Sequence, residues 1–333
     1  MTLSRCGSIL VLSRRLAIVG LAGTIGACSP AATNAPTTSA ASATAPAEPD
    51  ALRVVATSTV LADLVRSVGG PKVLVASLVP KGGEVHTYDP SPQDLARLSD
   101  AQLVVMNGLG LDEWLVDQVL ESGSQAEIVE LAEDLQGVTY LEGGEEEAGA
   151  GEPGAEDHEG EEFNPHLWLD VDYARKYAAR IAEALAEVDP ADAAAYDAGL
   201  RAYDARLAEL DASITAQIGA LPEANRRIVS FHEAYPYYAA AYGLEIVGVI
   251  VEAPGQDPSA GEIAALIEAI RAAGVRAIFA EAQFSPQLAE AVAAETAARV
   301  VSDLYNDSLG DPPIDTYEQM MRWNTTKTVE ALR

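Results

Sequence analysis

The chain has 333 residues, 49% of them apolar and 6% aromatic, which is ample for packed cores. It carries 51 acidic against 21 basic side chains, a formal net charge of -30. A nucleic-acid partner would need a basic face, and this charge argues against one, whereas acidity attracts cations over long range even where it serves only solubility.

Residues 1–27 read as an export signal. Arg5, Arg14 and Arg15 form a positive region without acids, and Leu16 to Ala27 is a run of twelve small or apolar residues. A helix needs about 20 residues to cross a bilayer, so the run is too short for an anchor. It ends in Ile25-Gly26-Ala27-Cys28, which resembles the lipobox at which bacterial lipoproteins are cut and lipidated, here on Cys28. Ser13-Arg14-Arg15-Leu16 also resembles a twin-arginine signal, so two export routes stay open. Cys6 is expected to leave with the signal. Cys28 then stands alone, and neither an internal disulfide nor a thiolate metal ligand is expected. Residues 28–50, rich in Ala, Thr, Ser and Pro, read as a flexible tether carrying the lipid.

From Arg53 onward short apolar runs alternate with amphipathic stretches. Strands are expected at Arg53 to Thr57, Val73 to Val79, Leu103 to Asn107 and Glu127 to Leu131, with helices near Val60 to Gly69, Pro92 to Leu98 and Asp112 to Leu120. A second series begins later, with strands at Arg227 to Ser230, Glu245 to Val251, Ala277 to Ala280 and Arg299 to Val301. Each series predicts a parallel sheet covered by helices, hence an α/β protein of two lobes, residues 51–188 and 221–333. Asp172 to Val188 is helical by period, Asp189-Pro190 breaks it, and Asp192 to Ala220 runs on without Pro and with Gly199 as its one Gly before the terminal Gly219. That second helix, within a linking segment 189–220, would be about 43 Å long. Leu200, Tyr203, Leu207, Leu210 and Ile214 recur at three- and four-residue steps, so one stripe can pack on both lobes. A stiff connector of this kind predicts less closure than hinge strands allow.

Three of the four histidines close or open apolar runs: His86 in Glu84-Val85-His86-Thr87-Tyr88-Asp89, His166 in Asn164-Pro165-His166-Leu167-Trp168, and His232 in Ser230-Phe231-His232-Glu233. Neutral imidazole is the commonest metal ligand, and loop histidines on an α/β frame can converge on one ion. The late loop Asp303-Leu304-Tyr305-Asn306-Asp307 offers a carboxylate. All lie near carboxyl ends of strands or in loops, where open α/β sheets bind ligands, so the expected site is the cleft between the lobes.

These segments, with Tyr88-Asp89-Pro90-Ser91-Pro92-Gln93-Asp94, Asn107-Gly108-Leu109-Gly110-Leu111-Asp112-Glu113-Trp114 and Leu304-Tyr305-Asn306-Asp307-Ser308-Leu309, resemble the solute-binding lipoproteins of bacterial ABC importers for zinc and manganese. The likeness runs in order from about Leu52 to the C-terminus and implies two α/β lobes bridged by one long helix. It implies His86, His166, His232 and Asp307 as metal ligands, with Asp303 the rival for the last; Val85 stands where the family often has Pro. It further implies a monomeric receptor, lipid-anchored on the outer face of the cytoplasmic membrane or periplasmic, that hands a divalent metal to a permease and its ATPase.

Three imidazoles and one carboxylate complete a tetrahedral zinc shell with no position left for a catalytic water. The nitrogen-rich set favours Zn2+; Mn2+, which prefers more oxygen, is the alternative. Glu281, at a strand end, is read either as a carboxylate orienting an imidazole or as a strand-end cap. Residues 142–162 hold ten acids and His158. They read as an unstructured acidic insertion, with an auxiliary metal role for His158, Asp157 and Glu159 as the sharper reading. A zinc hydrolase would need a His-Glu-x-x-His pair or its equivalent, which the chain lacks, so no enzyme is expected. An adhesin remains a weaker alternative, without a recognisable adhesive repeat to support it.

Overall fold

The computed structural model describes residues 50–143 and 163–333. The signal, Cys28 and the tether, and most of the acidic insertion with Asp157, His158 and Glu159, lie outside the described residues. Among the described residues no helix is long and apolar enough to cross a membrane.

The first half runs β1 (Leu52–Ala56), α1 (Thr59–Gly69), β2 (Val73–Ser77), α2 (Pro92–Asp100), β3 (Leu103–Met106), α3 (Trp114–Ser122) and β4 (Glu127–Glu130). All four strands are parallel, in the order β2-β1-β3-β4. β3 is buried at every position, as expected of a strand covered on both faces. Local signals set the helix starts. The Ser58 hydroxyl accepts from the Leu61 N–H to open α1, and Ser91 with Asp94 forms a capping box ahead of Pro92 at the start of α2.

Two helices follow, α4 (Val171–Val188) and α5 (Ala193–Gly219), separated by a 3-10 turn at Pro190–Asp192. The second sheet is built from β5 (Arg227–Ser230), α6 (Pro236–Tyr242), β6 (Glu245–Val249), α7 (Ala260–Ala273), β7 (Ala277–Glu281), α8 (Gln287–Ala294) and β8 (Arg299–Leu304), before α9 (Tyr317–Leu332) closes the chain. Its order, β6-β5-β7-β8, repeats that of the first and is again all parallel.

Tyr196, Tyr203, Leu207, Leu210, Ile214 and Ile218 of α5 are buried, and Leu200 partly so. They pack on α4 and α1 on one side and α6 and α9 on the other. A continuous core therefore runs from the first sheet through these helices into the second, with a smaller core on the outer face of each sheet. α9 returns to touch α1: the Asp63 carboxylate accepts from the Tyr317 N–H at 2.8 Å.

Candidate metal centre

Each of the four expected side chains is carried by a short, pinned segment. His86 lies in the loop after β2, where Glu84 Oε1 accepts from the His86 N–H at 3.1 Å and the Val85 carbonyl accepts from Trp114 Nε1 at 3.2 Å. Gly82, at φ +72, turns this loop and donates its N–H to Ser308 Oγ at 2.8 Å. His166 precedes a 3-10 turn, Leu167–Leu169, and Trp168 in that turn donates its indole N–H to the Asn306 carbonyl at 2.9 Å. His232 stands two residues beyond β5, and Asp307 three beyond β8.

The structure brings these four together, with their ligating atoms all within 4.8 Å of one another. His166, His232 and Asp307 are at most 2% exposed. Asp307 Oδ1 is 3.5 Å from His166 Nε2. Its Oδ2 is 3.6 Å from His232 Nε2 and 4.0 Å from His86 Nε2. Ligands held tetrahedrally at about 2.0–2.1 Å from a zinc ion would be about 3.3 Å apart, close to these separations. His166 Nε2, His232 Nε2 and both Asp307 oxygens are buried without a hydrogen bond. Each such group costs about 1–3 kcal/mol unless something compensates it. Donor type, spacing and burial all fit a divalent cation.

Electrostatics distinguish the members. Burial lowers the pKa of His166 well below the ordinary value, and the His232 and His86 imidazoles lower it further. Burial alone would do the same to His232, but the carboxylates around it, Glu281 first and then Asp307 and Glu84, together outweigh burial and lift His232 to about 9. Burial drives the Asp307 carboxyl well above the usual carboxylate range, against the pull of His232.

Glu281 ends β7 fully buried, with Oε2 3.5 Å from His232 Nδ1. Its Oε1 accepts from Asn306 Nδ2 at 3.2 Å, and Asn306 Oδ1 accepts from the Asp307 N–H at 2.7 Å. One carboxylate therefore braces both second-lobe members. Asp303 is not part of the cluster: its half-exposed carboxylate pairs with Lys327 Nζ at 2.5 Å. Glu84, Asn306 and Asn164 are the site residues that sequence reasoning passed over. All three lie inside segments already singled out, one or two positions from a ligand candidate, so proximity in the chain was the available signal.

A family model described as zinc-uptake complex component A, periplasmic, matches residues 54–331. The manganese-binding lipoprotein MntA of Halalkalibacterium halodurans is 29% identical over 285 residues, covering 85% of this chain and 89% of that one. The iron ABC transporter substrate-binding lipoprotein MtsA of Streptococcus pyogenes is 29% identical over 302 residues, covering 86% and 90%. Among solved structures, the periplasmic zinc-binding protein TroA of Treponema pallidum aligns with TM-score 0.74 at 25% identity, over 85% of this chain and 99% of that one. A manganese-bound periplasmic metal-binding protein of Candidatus Liberibacter asiaticus aligns with TM-score 0.73 at 25% identity, over 85% and 100%.

Proposed function

Because this chain belongs to the periplasmic zinc-uptake component A family, whose members are substrate-binding receptors of metal ABC transporters and not enzymes, we propose that it captures Zn2+ through His86, His166, His232 and Asp307. In this reading a monomer, tethered by lipid at Cys28 on the outer side of the cytoplasmic membrane, passes the ion to a permease driven by an ATPase. The supporting observation is the donor set: three imidazoles and one carboxylate, converging and buried, at separations suited to a four-coordinate ion. At a nitrogen-rich site of this kind zinc binds more tightly than manganese in the divalent series.

Manganese is the second reading, favoured by one specific feature. Both Asp307 oxygens face imidazoles, so a bidentate carboxylate could raise the coordination number. Competitive titration of the metal-free protein with each ion, with stoichiometry by elemental analysis, separates the two. One retained zinc that excess manganese does not displace supports the proposal. Retention of manganese in preference to zinc moves the assignment, and retention of neither ion overturns both readings.

Glu281 is assigned the role of orienting His232. Replacing it with Gln keeps the shape but removes the charge facing Nδ1, and zinc affinity is expected to fall about 10- to 100-fold. An unchanged dissociation constant in Glu281→Gln would return Glu281 to a strand-end cap.

Acidity is expected to oppose binding. His232 holds its proton up to about pH 9 in the metal-free protein, and the ion takes only the unprotonated ring. Between about pH 7 and 9 one proton is displaced and apparent affinity rises about tenfold per pH unit before levelling; below about 7, where Asp307 also holds a proton, the rise is steeper. Calorimetry in buffers of differing ionisation enthalpy reads the released proton directly, and an affinity that is flat between pH 6 and 8 contradicts the expectation. The stability of the metal-free protein has the opposite sign. The His232 pKa is raised on folding, so its contribution is fully present below about 6.5, the unfolded value, and is lost as pH rises through about 9.

A further inference from the structure

Asn164 touches both ligand-bearing loops at once. It is 2% exposed, and the proline that follows it confines its backbone to extended geometry. Its Oδ1 accepts from the His166 N–H at 3.1 Å and lies 3.1 Å from His166 Nδ1. Its Nδ2 donates across the cleft to the carbonyl of Glu233, the residue after His232, at 2.6 Å. The orientation of the amide is forced, since the His166 N–H can only donate and the Glu233 carbonyl can only accept. An acceptor at His166 Nδ1 places the proton on that nitrogen, which leaves the Nε2 lone pair directed at Asp307 and the other imidazoles. The main chain of Asn164 is held as well: its N–H donates to the Leu141 carbonyl at 2.8 Å, and its carbonyl accepts from the Tyr237 hydroxyl at 3.0 Å.

We infer that Asn164 makes the alignment of His166 conditional on the docking of the two lobes, so that separating the lobes and loosening the metal are one event. The amide torsion of an asparagine is soft. Without the Glu233 carbonyl the amide is held only through its oxygen by the His166 N–H, its plane is free to turn, and the partner that sets the His166 tautomer and ring plane is loosened. Asn164 is thus a positioning residue that acts through His166. The inference rests on the four side chains being the metal ligands.

Asn164→Asp separates the two halves of this role. The carboxylate still accepts from His166 Nδ1, the arrangement most often found behind metal-bound imidazoles, but it cannot donate to Glu233 and sets oxygen against oxygen there. Cobalt(II) is loaded into wild type, Asn164→Asp and Asn164→Ala, and release is timed after adding excess chelator. Asn164→Asp is expected to release cobalt at least about tenfold faster than wild type while its bound-state absorption spectrum keeps its position. Asn164→Ala, which loses both contacts, is expected to release faster still with a shifted spectrum. Release at the wild-type rate from either variant overturns the inference. If Asn164→Asp does not fold, the alanine variant decides alone. Failure of the wild type to bind cobalt or zinc at all overturns instead the ligand assignment on which the inference rests.

Discussion

Replacing His166 with Ala is expected to weaken zinc binding by at least about a hundredfold and to leave the fold intact. His166 Nε2 is buried and faces Asp307 Oδ1 at 3.5 Å, and burial keeps the ring neutral and ready to ligate. Replacing even a partner that only orients a ligand costs about 10- to 100-fold, so loss of the ligand itself costs more. The metal-free fold does not depend on the ring: its main-chain N–H stays bonded to Asn164 Oδ1, and removing one of three crowded imidazoles relieves their mutual repulsion on protonation. Thermal unfolding with and without zinc reads both halves. A ligand at a thousand times its dissociation constant adds about 4 kcal/mol. Wild type is expected to gain that increment, whereas His166→Ala keeps the metal-free melting temperature of wild type and gains little from the same zinc. A full increment in the variant would place the site elsewhere.

Gly199→Ala is expected to destabilise the metal-free protein by about 2 kcal/mol, although glycine within a helix is worse than alanine by about 1 kcal/mol. The residue stands inside α5 where that helix crosses the end of α1, and a Cβ there would lie 2.0 Å from the Val68 carbonyl oxygen, far closer than van der Waals contact allows. The obstacle is main chain, which cannot rotate away. Relief requires α5 and α1 to move apart, and overpacking of this kind costs about 1–3 kcal/mol or more. The metal-free denaturation midpoint should drop without a change in slope. A midpoint raised by the helix-propensity gain would show that the two helices do not meet there. Because Thr59 at the start of α1 accepts from the Leu309 N–H at 2.8 Å, two residues beyond Asp307, a shifted α1 should also weaken zinc binding.

Much of this architecture was legible in the chain. β1, β3, β5 and β7 are short apolar runs because strands covered on both faces need no polar alternation, and each observed strand begins within one residue of its expected start. The long helix was readable from a 29-residue stretch with a steady apolar stripe, and it spans Ala193–Gly219. His86, His166 and His232 stood out because a histidine beside an apolar run, next to acids or aromatics, carries its own signal.

Other features depend on direction and distance, which no linear pattern contains. Asp303 and Asp307 are equivalent by spacing. The fold points one outward to Lys327 and the other inward to three imidazoles. Glu281 is open between two roles in the chain, and only the fold reveals that its Oε2 lies 3.5 Å from His232 Nδ1. Gly199 is only an exception in the helical stretch when read along the chain, and the passage of α1 against it supplies a reason. Asn164 and Asn306 are ordinary loop residues in one dimension, since amides signal nothing until their partners are in place. The sequence by itself determined the elements, their order and the chemistry available, because propensity, periodicity and donor type are local. Tertiary structure alone decided which donors meet, because contact between residues as far apart in the chain as His86 and Asp307 exists only once two sheets and the helices between them have packed.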